Sequence, residues 1–279
     1  MIKSYCKINL SLRVLKKLRN KMHDIETNTV LIDLYDKIFI TKIKKKEDQI
    51  VFKGKFKEAI SKSNNTVKKT IFLLREKKYI KNNVFYKIIV EKGIPVFAGL
   101  GGGTSNSAHI IKHFIKKKIN NSIIQTFEKK IGSDLRLFFN KQLHQKKLKK
   151  INKYKKNFPF FILLVYPNLK CSTKKIFANV RKYSSPSNIN FSRIKSTKEF
   201  IQLIKNEKND LQKVVENKFP LIKKVIKFVN KQNECNFARM TGSGSVCFGV
   251  FNDYKSAKSA LTIVKRMFPK YWCVVTKTI

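Results

Sequence analysis

Negative charge is what this sequence most lacks: 17 Asp+Glu stand against 62 Lys+Arg, for a formal net charge of +45 over 279 residues. Clustered cations would suggest a nucleic-acid partner, since they displace counterions from a phosphate backbone. Here 54 of the 62 cations are Lys, only 8 are Arg, and they are spread over nearly every segment while Asn, Ile and Phe are abundant. That is the signature of AT-rich codons across a whole gene, so nucleic-acid binding is the lesser reading. Mutual repulsion among the cations predicts a salt-sensitive protein. The five cysteines, Cys6, Cys171, Cys235, Cys247 and Cys273, are odd in number and scattered, with no CxxC pair, which excludes a disulfide framework and a zinc finger. Long apolar runs are missing too. The longest, Phe158 to Pro167, is too short to cross a bilayer. No secretory h-region follows Met1, and the first motif begins at Ser4. The expectation is a soluble cytoplasmic protein in a reducing compartment, without a membrane partner.

What is present suffices for real cores. Hydrophobic residues make up 42%, with 22 Phe, which excludes a wholly disordered chain. Alternating apolar residues predict antiparallel strands at Lys37 to Ile43 and Gln49 to Phe56, another strand at Val84 to Val90, and a helix at Thr66 to Leu74. From Ala108, apolar residues recur at three- and four-residue intervals through Ile119, the stripe of an amphipathic helix. The lysine-rich stretch Lys141 to Lys156 reads as a loosely packed connection. Beyond it, Phe160 to Tyr166 has the pattern of a buried strand. Helices are predicted at Thr197 to Lys205, Leu211 to Lys218, Leu221 to Val229 and Lys255 to Met267, and strands at Ser245 to Phe251 and Cys273 to Lys277. This describes an α+β protein with a domain boundary near residue 150.

Glycine is scarce, at 10 residues, yet four of the ten fall together: Gly99, Gly101, Gly102 and Gly103, in Pro95-Val-Phe-Ala-Gly-Leu-Gly-Gly-Gly-Thr-Ser-Asn-Ser-Ala108. Without Cβ atoms, backbone N–H groups can converge on a ligand. The run enters the amphipathic helix directly, where free first-turn N–H groups and the helix dipole favour an anion. A flexible hinge would explain the glycines but not the hydroxyls that follow. The spacing fits neither GxxxxGK[ST] nor GxGxxG. A triphosphate cradled by amides fits, with Thr104 or Ser105 near a Mg²⁺. The i, i+4 pair His109 and His113 has metal-chelating spacing but no third ligand, and reads as a solvated helix face.

The glycine segment resembles the ATP-binding motif of the GHMP kinase superfamily. Further blocks follow in order: Lys7-Ile-Asn9 with His23-Asp-Ile-Glu-Thr27, Gly132-Ser-Asp134, Ser172-Thr173 with Phe177, Asn209-Asp-Leu211 with Phe219-Pro220, and Ala238-Arg-Met-Thr-Gly-Ser-Gly-Ser245. Together they resemble the 4-diphosphocytidyl-2-C-methyl-D-erythritol kinases within that superfamily, from about residue 4 to the end.

The resemblance implies a two-domain GHMP kinase-like fold, an ATP-binding domain over 1–150 and a ferredoxin-like C-terminal domain over 151–279, monomeric or homodimeric. It implies ATP and Mg²⁺ as cofactors and a cytidine-diphosphate-linked methylerythritol as the small-molecule substrate, phosphorylated on its 2-hydroxyl. Mevalonate- or homoserine-type kinases are the enzymatic alternatives. Asp134 would be the base and Lys7 its partner. Pro95, Gly99, Leu100, Gly101, Gly102, Gly103, Thr104 and Ser105 would hold ATP, with Asn65 and Lys92 near the adenine and Thr104 and Ser105 near the metal. Asn9, Met22, His23, Thr173, Phe177, Gly242 and Gly244 would contact the substrate, His23 at the edge of the cytosine and Phe177 on its face. Met22 stands where the family usually has a stacking Tyr, and Arg136 where it usually has Pro. Read from the residues alone, Ser133 and Asp134 serve equally as a helix cap, Phe177 as a core residue and His23 as an exposed turn residue.

Overall fold

The computed structural model describes residues 1–20, 22–61, 63–116, 118–147 and 150–279. They group into two compact units, each built from separated stretches of chain. The first comprises Met1–Lys7, Leu34–Val96 and Gly101–Asn140; the second comprises Ile8–Asp33, Phe97–Leu100 and Lys141–Ile279.

Two long strands open the chain, β1 (Ile2–Lys17) and β2 (His23–Ile43), and each contributes residues to both units. In the first unit β3 (Gln49–Lys53), α1 (Thr66–Glu76), β4 (Phe85–Glu91), α2 (Gly102–Phe114) and α3 (Asn121–Ile131) follow, then a 3-10 helix at Ser133–Phe139. The expected strands are there, but not as one antiparallel set. β4 lies between the other two, antiparallel to β2 (Lys37 opposite Glu91) and parallel to β3 (Gln49 opposite Lys87). Asn65 starts α1 by accepting the Lys68 N–H at 2.9 Å, and Asn120 starts α3 the same way at 3.0 Å from Ile123 N–H. Such caps satisfy first-turn donors that the helix cannot pair itself. Val67, Ile71 and Leu74 of α1, Ile88 and Val90 of β4, Ile110 and Ile111 of α2, and Leu135 and Phe138 are all buried.

In the second unit β5 (Gln142–Lys147) and β6 (Lys150–Lys153) form an antiparallel hairpin, and Thr27 to Val30 of β2 pair with Gln145 to Gln142. The loose connection expected at Lys141 to Lys156 is therefore corrected to ordered strands, with residues 148 and 149 outside the described residues. The cause is that its buried side chains are polar and paired. Gln142 exchanges two hydrogen bonds with the Phe158 backbone, both 2.9 Å, and His144 Nε2 lies 2.8 Å from Glu26 Oε1.

Then come β7 (Phe161–Tyr166), α4 (Thr173–Ala178), α5 (Thr197–Lys205), α6 (Asp210–Lys218), α7 (Pro220–Asn230), β8 (Phe237–Met240), β9 (Cys247–Phe251), α8 (Tyr254–Met267) and β10 (Trp272–Lys277). The sheet order is β10-β7-β9-β8, antiparallel throughout. Ser196 Oγ caps α5 by accepting the Glu199 N–H at 3.1 Å while Glu199 accepts the N–H of Lys195 at 2.9 Å; Asp253 caps α8, and Pro220 opens α7, where its missing N–H costs nothing. Leu163, Val165, Val225, Val229, Phe251 and Val264 fill the core. Arg239 is buried among carbonyls of Leu10, Ile204 and Glu207, and burial lowers its guanidinium to about 10, so it remains charged near neutrality. No helix among the described residues is long and apolar enough to cross a membrane. The five cysteines are free, and burial pushes the thiols of Cys6 and Cys247 up, away from thiolate chemistry.

Candidate active site

In the first unit, Gly101 sits at φ 68° immediately before α2 and supplies no side-chain cap. A Cβ there would lie 2.8 Å from Phe138 Cζ and 3.3 Å from Lys7 Cε, so the turn closes only around hydrogen. At Gly102 a Cβ would come 3.1 Å from Ile94 Cγ2 and 3.4 Å from Lys92 Nζ. Gly103 is exposed, and its carbonyl accepts the Thr66 hydroxyl at 2.9 Å. The first turn of α2 thus emerges from a glycine turn with no side-chain cap at Gly101, which suits close approach by an anion.

Lys7, 3% exposed on β1, places its Nζ 3.4 Å from Asp134 Oδ2. The Asp134 side chain is 41% exposed, so one partner is buried and the other reaches solvent. Asp134 lies in the first turn of the 3-10 helix that follows Gly132, whose φ of 137° turns the chain out of α3. Two cations fix that short helix. Arg136 is buried and engages Glu128 of α3 through two hydrogen bonds, Nε to Oε1 at 2.6 Å and NH2 to Oε2. Lys112 of α2 donates to the Phe138 carbonyl at 2.7 Å, and burial lowers its ammonium pKa. Sequence reading registered Arg136 only as a departure and Lys112 not at all; nothing in one sequence separates these cations from fifty others.

Ser105 is fully buried, its hydroxyl 2.9 Å from Ser4 Oγ and bonded to the Tyr5 carbonyl, so it ties α2 to β1. Thr104, half-buried, stands one residue nearer the turn. Lys92 and Asp36 form a buried ion pair below Gly102, with Asp36 Oδ1 accepting the N–H groups of Gly93 (2.9 Å) and Ile94 (3.0 Å), which sets the path into buried Pro95. Asn65 serves as the α1 cap described above.

The solvated face expected for His109 is corrected. Its Nδ1 is 3.0 Å from the Ser105 carbonyl, Tyr5 lies edge-on at 6.3 Å, and burial with the Lys112 charge pushes its pKa down to about 4. The folded state therefore resists a proton that the unfolded chain, near 6.5, accepts. This stability is complete above about pH 6.5 and disappears as pH falls towards 4. We expect wild type to lose about 2 kcal/mol more than His109→Gln between pH 7 and pH 4.5, allowing for partial exposure. Urea midpoints read this; parallel pH curves for the two proteins would contradict it.

The second unit holds Gly99 and the C-terminal glycine turn. A Cβ on Gly99 would meet the Thr241 carbonyl at 2.4 Å and Gly244 N at 3.1 Å; one on Gly242 would meet the Gly99 carbonyl at 3.0 Å and Asn9 Oδ1 at 3.2 Å. Asn9 is buried, its N–H donating to Thr241 Oγ1 and its Nδ2 to Thr27 Oγ1, both at 2.8 Å. Asn209 steadies the turn by donating to the carbonyls of Met240 (2.8 Å) and Gly242 (2.9 Å), and Thr173 Oγ1 is 2.9 Å from Ser243 Oγ. Leu100 is wholly buried.

Met22, 38% exposed, lies at the tip of the β1–β2 hairpin, which Leu18 N–H closes onto the Met22 carbonyl at 2.8 Å. His23 faces Phe177 of α4 with ring centroids 5.2 Å apart, while Phe177 also packs against the core of its unit. Burial and then the Lys17 charge lower the His23 pKa, favouring the neutral ring. Tyr183, which sequence reading missed, lies 6.4 Å from His23. It falls in an irregular segment with no periodicity to mark it. No group of three or more His, Cys, Asp or Glu suited to a metal occurs among the described residues.

The family described as GHMP kinases C terminal matches residues 190–270. A 4-diphosphocytidyl-2-C-methyl-D-erythritol kinase of Pelagibacter ubique is 39% identical over 100% of this chain and 98% of its own length. One of the same name from Ehrlichia canis is 30% identical over 97% and 96%. Among solved structures, a 4-(cytidine 5'-diphospho)-2C-methyl-D-erythritol kinase superimposes with a TM-score of 0.77 at 19% identity, covering 99% of this chain and 98% of that one. The homoserine kinase of Cytophaga hutchinsonii gives 0.72 at 14%, covering 100% and 96%. These structures share the fold, and the likeness in sequence is to the first group.

Proposed function

The chain belongs to the 4-diphosphocytidyl-2-C-methyl-D-erythritol kinase family, a branch of the GHMP kinases, and from that premise we infer that it transfers the γ-phosphoryl group of ATP to the 2-hydroxyl of 4-diphosphocytidyl-2-C-methyl-D-erythritol, a step of non-mevalonate isoprenoid synthesis. The observation that carries this reading is the Lys7–Asp134 pair, 3.4 Å apart, with Lys7 against the Gly101 turn that opens α2.

Phosphoryl transfer requires an aligned hydroxyl, neutralised phosphate charge and a proton acceptor. Asp134, half in solvent, accepts the hydroxyl proton. Lys7 pairs with that carboxylate and offsets negative charge developing on the reacting oxygens. The amides after Gly101 cradle the phosphates, and Lys92 and Asp36 keep the turn in shape beneath them. A nucleotide's Mg²⁺ is held mostly by phosphate oxygens and water and needs only one or two protein oxygens, which fits a site with few carboxylates. Thr104 offers its hydroxyl for it, whereas the Ser105 hydroxyl is engaged with Ser4 and Tyr5. Bound there, the ion supplies neutralisation of the phosphates. In the second unit, Phe177 offers a ring to the cytosine and neutral His23 both a donor and an acceptor to its edge. Asn9, Thr173, Gly242 and Gly244 serve the remainder of the substrate. ATP and a soluble phosphorylated intermediate suit a cytoplasmic enzyme.

ADP release measured with each of three alcohols decides the substrate. Turnover is expected with the cytidine-diphosphate-linked methylerythritol, and turnover with mevalonate or homoserine alone would discard the assignment.

A further inference from the structure

We propose that Tyr183 contacts the substrate and sets specificity, its ring giving the pyrimidine of the cytidine diphosphate moiety a second aromatic surface alongside Phe177; this rests on the function proposed above. Three aromatic side chains from separate stretches of the second unit meet. His23 comes from β2, Phe177 from α4 (centroids 5.2 Å, planes 34° apart) and Tyr183 from the chain beyond α4 (6.4 Å, 38°). Tyr183 is 46% exposed, so it has surface left to meet a ligand.

Its backbone is fixed by the residue that follows. Ser184 N–H donates to the Val14 carbonyl at 2.9 Å, and Ser184 Oγ donates to Asp210 Oδ2 at 2.7 Å. The same carboxylate oxygen accepts Val14 N–H at 2.8 Å, so β1, α6 and the Tyr183 segment are joined at one point. An exposed ring on an anchored backbone is arranged to receive a planar partner at little entropic cost, because only two side-chain torsions remain to be fixed. The nearest alternative on the hairpin, Met22, offers a flexible thioether. A cytosine is flat, with two faces to cover, and Phe177 turns one side to its own core. A phenol can also hydrogen-bond at its rim while it stacks.

Tyr183→Phe and Tyr183→Ser test this, since the Ser184 anchors do not use the phenol. The Ser variant is expected to raise KM for the cytidine-diphosphate-linked alcohol roughly tenfold, the usual effect of removing an aromatic from a stacked base, with kcat and KM for ATP within about twofold of wild type. The Phe variant should stay near wild type. Calorimetric binding of CDP to the same three proteins should weaken in parallel for the Ser variant alone. Unchanged CDP affinity in Tyr183→Ser, or an equal loss towards ATP, would overturn the proposal. Lack of turnover by wild type with tighter CDP binding than Tyr183→Ser would instead strike the function assigned above and leave Tyr183 as a pyrimidine contact.

Discussion

Asp134→Asn is expected to lower kcat by about a thousandfold while ATP affinity changes by less than about twofold. The amide keeps the shape and the hydrogen-bonding reach of the carboxylate but cannot take the substrate proton, and a positioned base is worth roughly 10²–10⁴ in rate. Because the side chain is 41% exposed, the substitution removes the charge of the pair with Lys7 and should not unfold the 3-10 helix that carries it. Lys7→Met should fall in the same range, and the double variant should lose little more than either alone, since the two groups act on one proton. ADP release under saturating substrates, with nucleotide binding by calorimetry, measures both quantities. A fall in kcat of tenfold or less would remove Asp134 from the role of base.

Breaking the Arg136–Glu128 pair should have the largest effect on stability. Arg136→Leu leaves the Glu128 carboxylate in a place that is 11% exposed, facing an apolar side chain where two N–H groups had been. Removing one partner of a buried pair costs about 3–5 kcal/mol, whereas replacing both with apolar residues is close to neutral. Arg136→Leu should therefore unfold at a markedly lower urea concentration, and Arg136→Met with Glu128→Leu should recover most of the loss. The pair also holds the 3-10 helix that carries Asp134, so kcat of the recovered double variant separates positioning from stability. We expect kcat to stay several-fold below wild type with KM for ATP unchanged. Full recovery of both would make the pair purely a matter of stability.

How much of this could be read in advance depended on what each residue touches. Helices with an apolar stripe and a cap were legible: α5 has the predicted bounds, and α6, α7 and α8 begin one residue before theirs. Strands with polar interiors were not. Along β1, Ser4, Lys7, Asn9 and Ser11 are buried and hydrogen-bonded or ion-paired, so the period-two pattern that marks a strand is overwritten by the residues of the candidate site. The same holds for Gln142 and His144 on β5. The glycine turn was legible because glycine is rare here. The pairing of Lys7 with Asp134, 127 positions apart, was reachable only by likeness to other kinases, and the places of Tyr183 and Lys112 depend on tertiary neighbours that no local pattern encodes.

The scarcity of acids has a consequence for which changes this protein tolerates. Asp36, Asp48, Glu128 and Glu207 each answer a particular cation inside the fold, at Lys92, Arg75, Arg136 and Arg13, and Asp134 answers Lys7. A chain of ordinary composition has spare carboxylates nearby that can take over when one is lost. This one has only 17 acids among 62 Lys and Arg, so drift that exchanges one surface cation for another passes unnoticed, while the loss of any of these five carboxylates removes an internal pairing from a small stock.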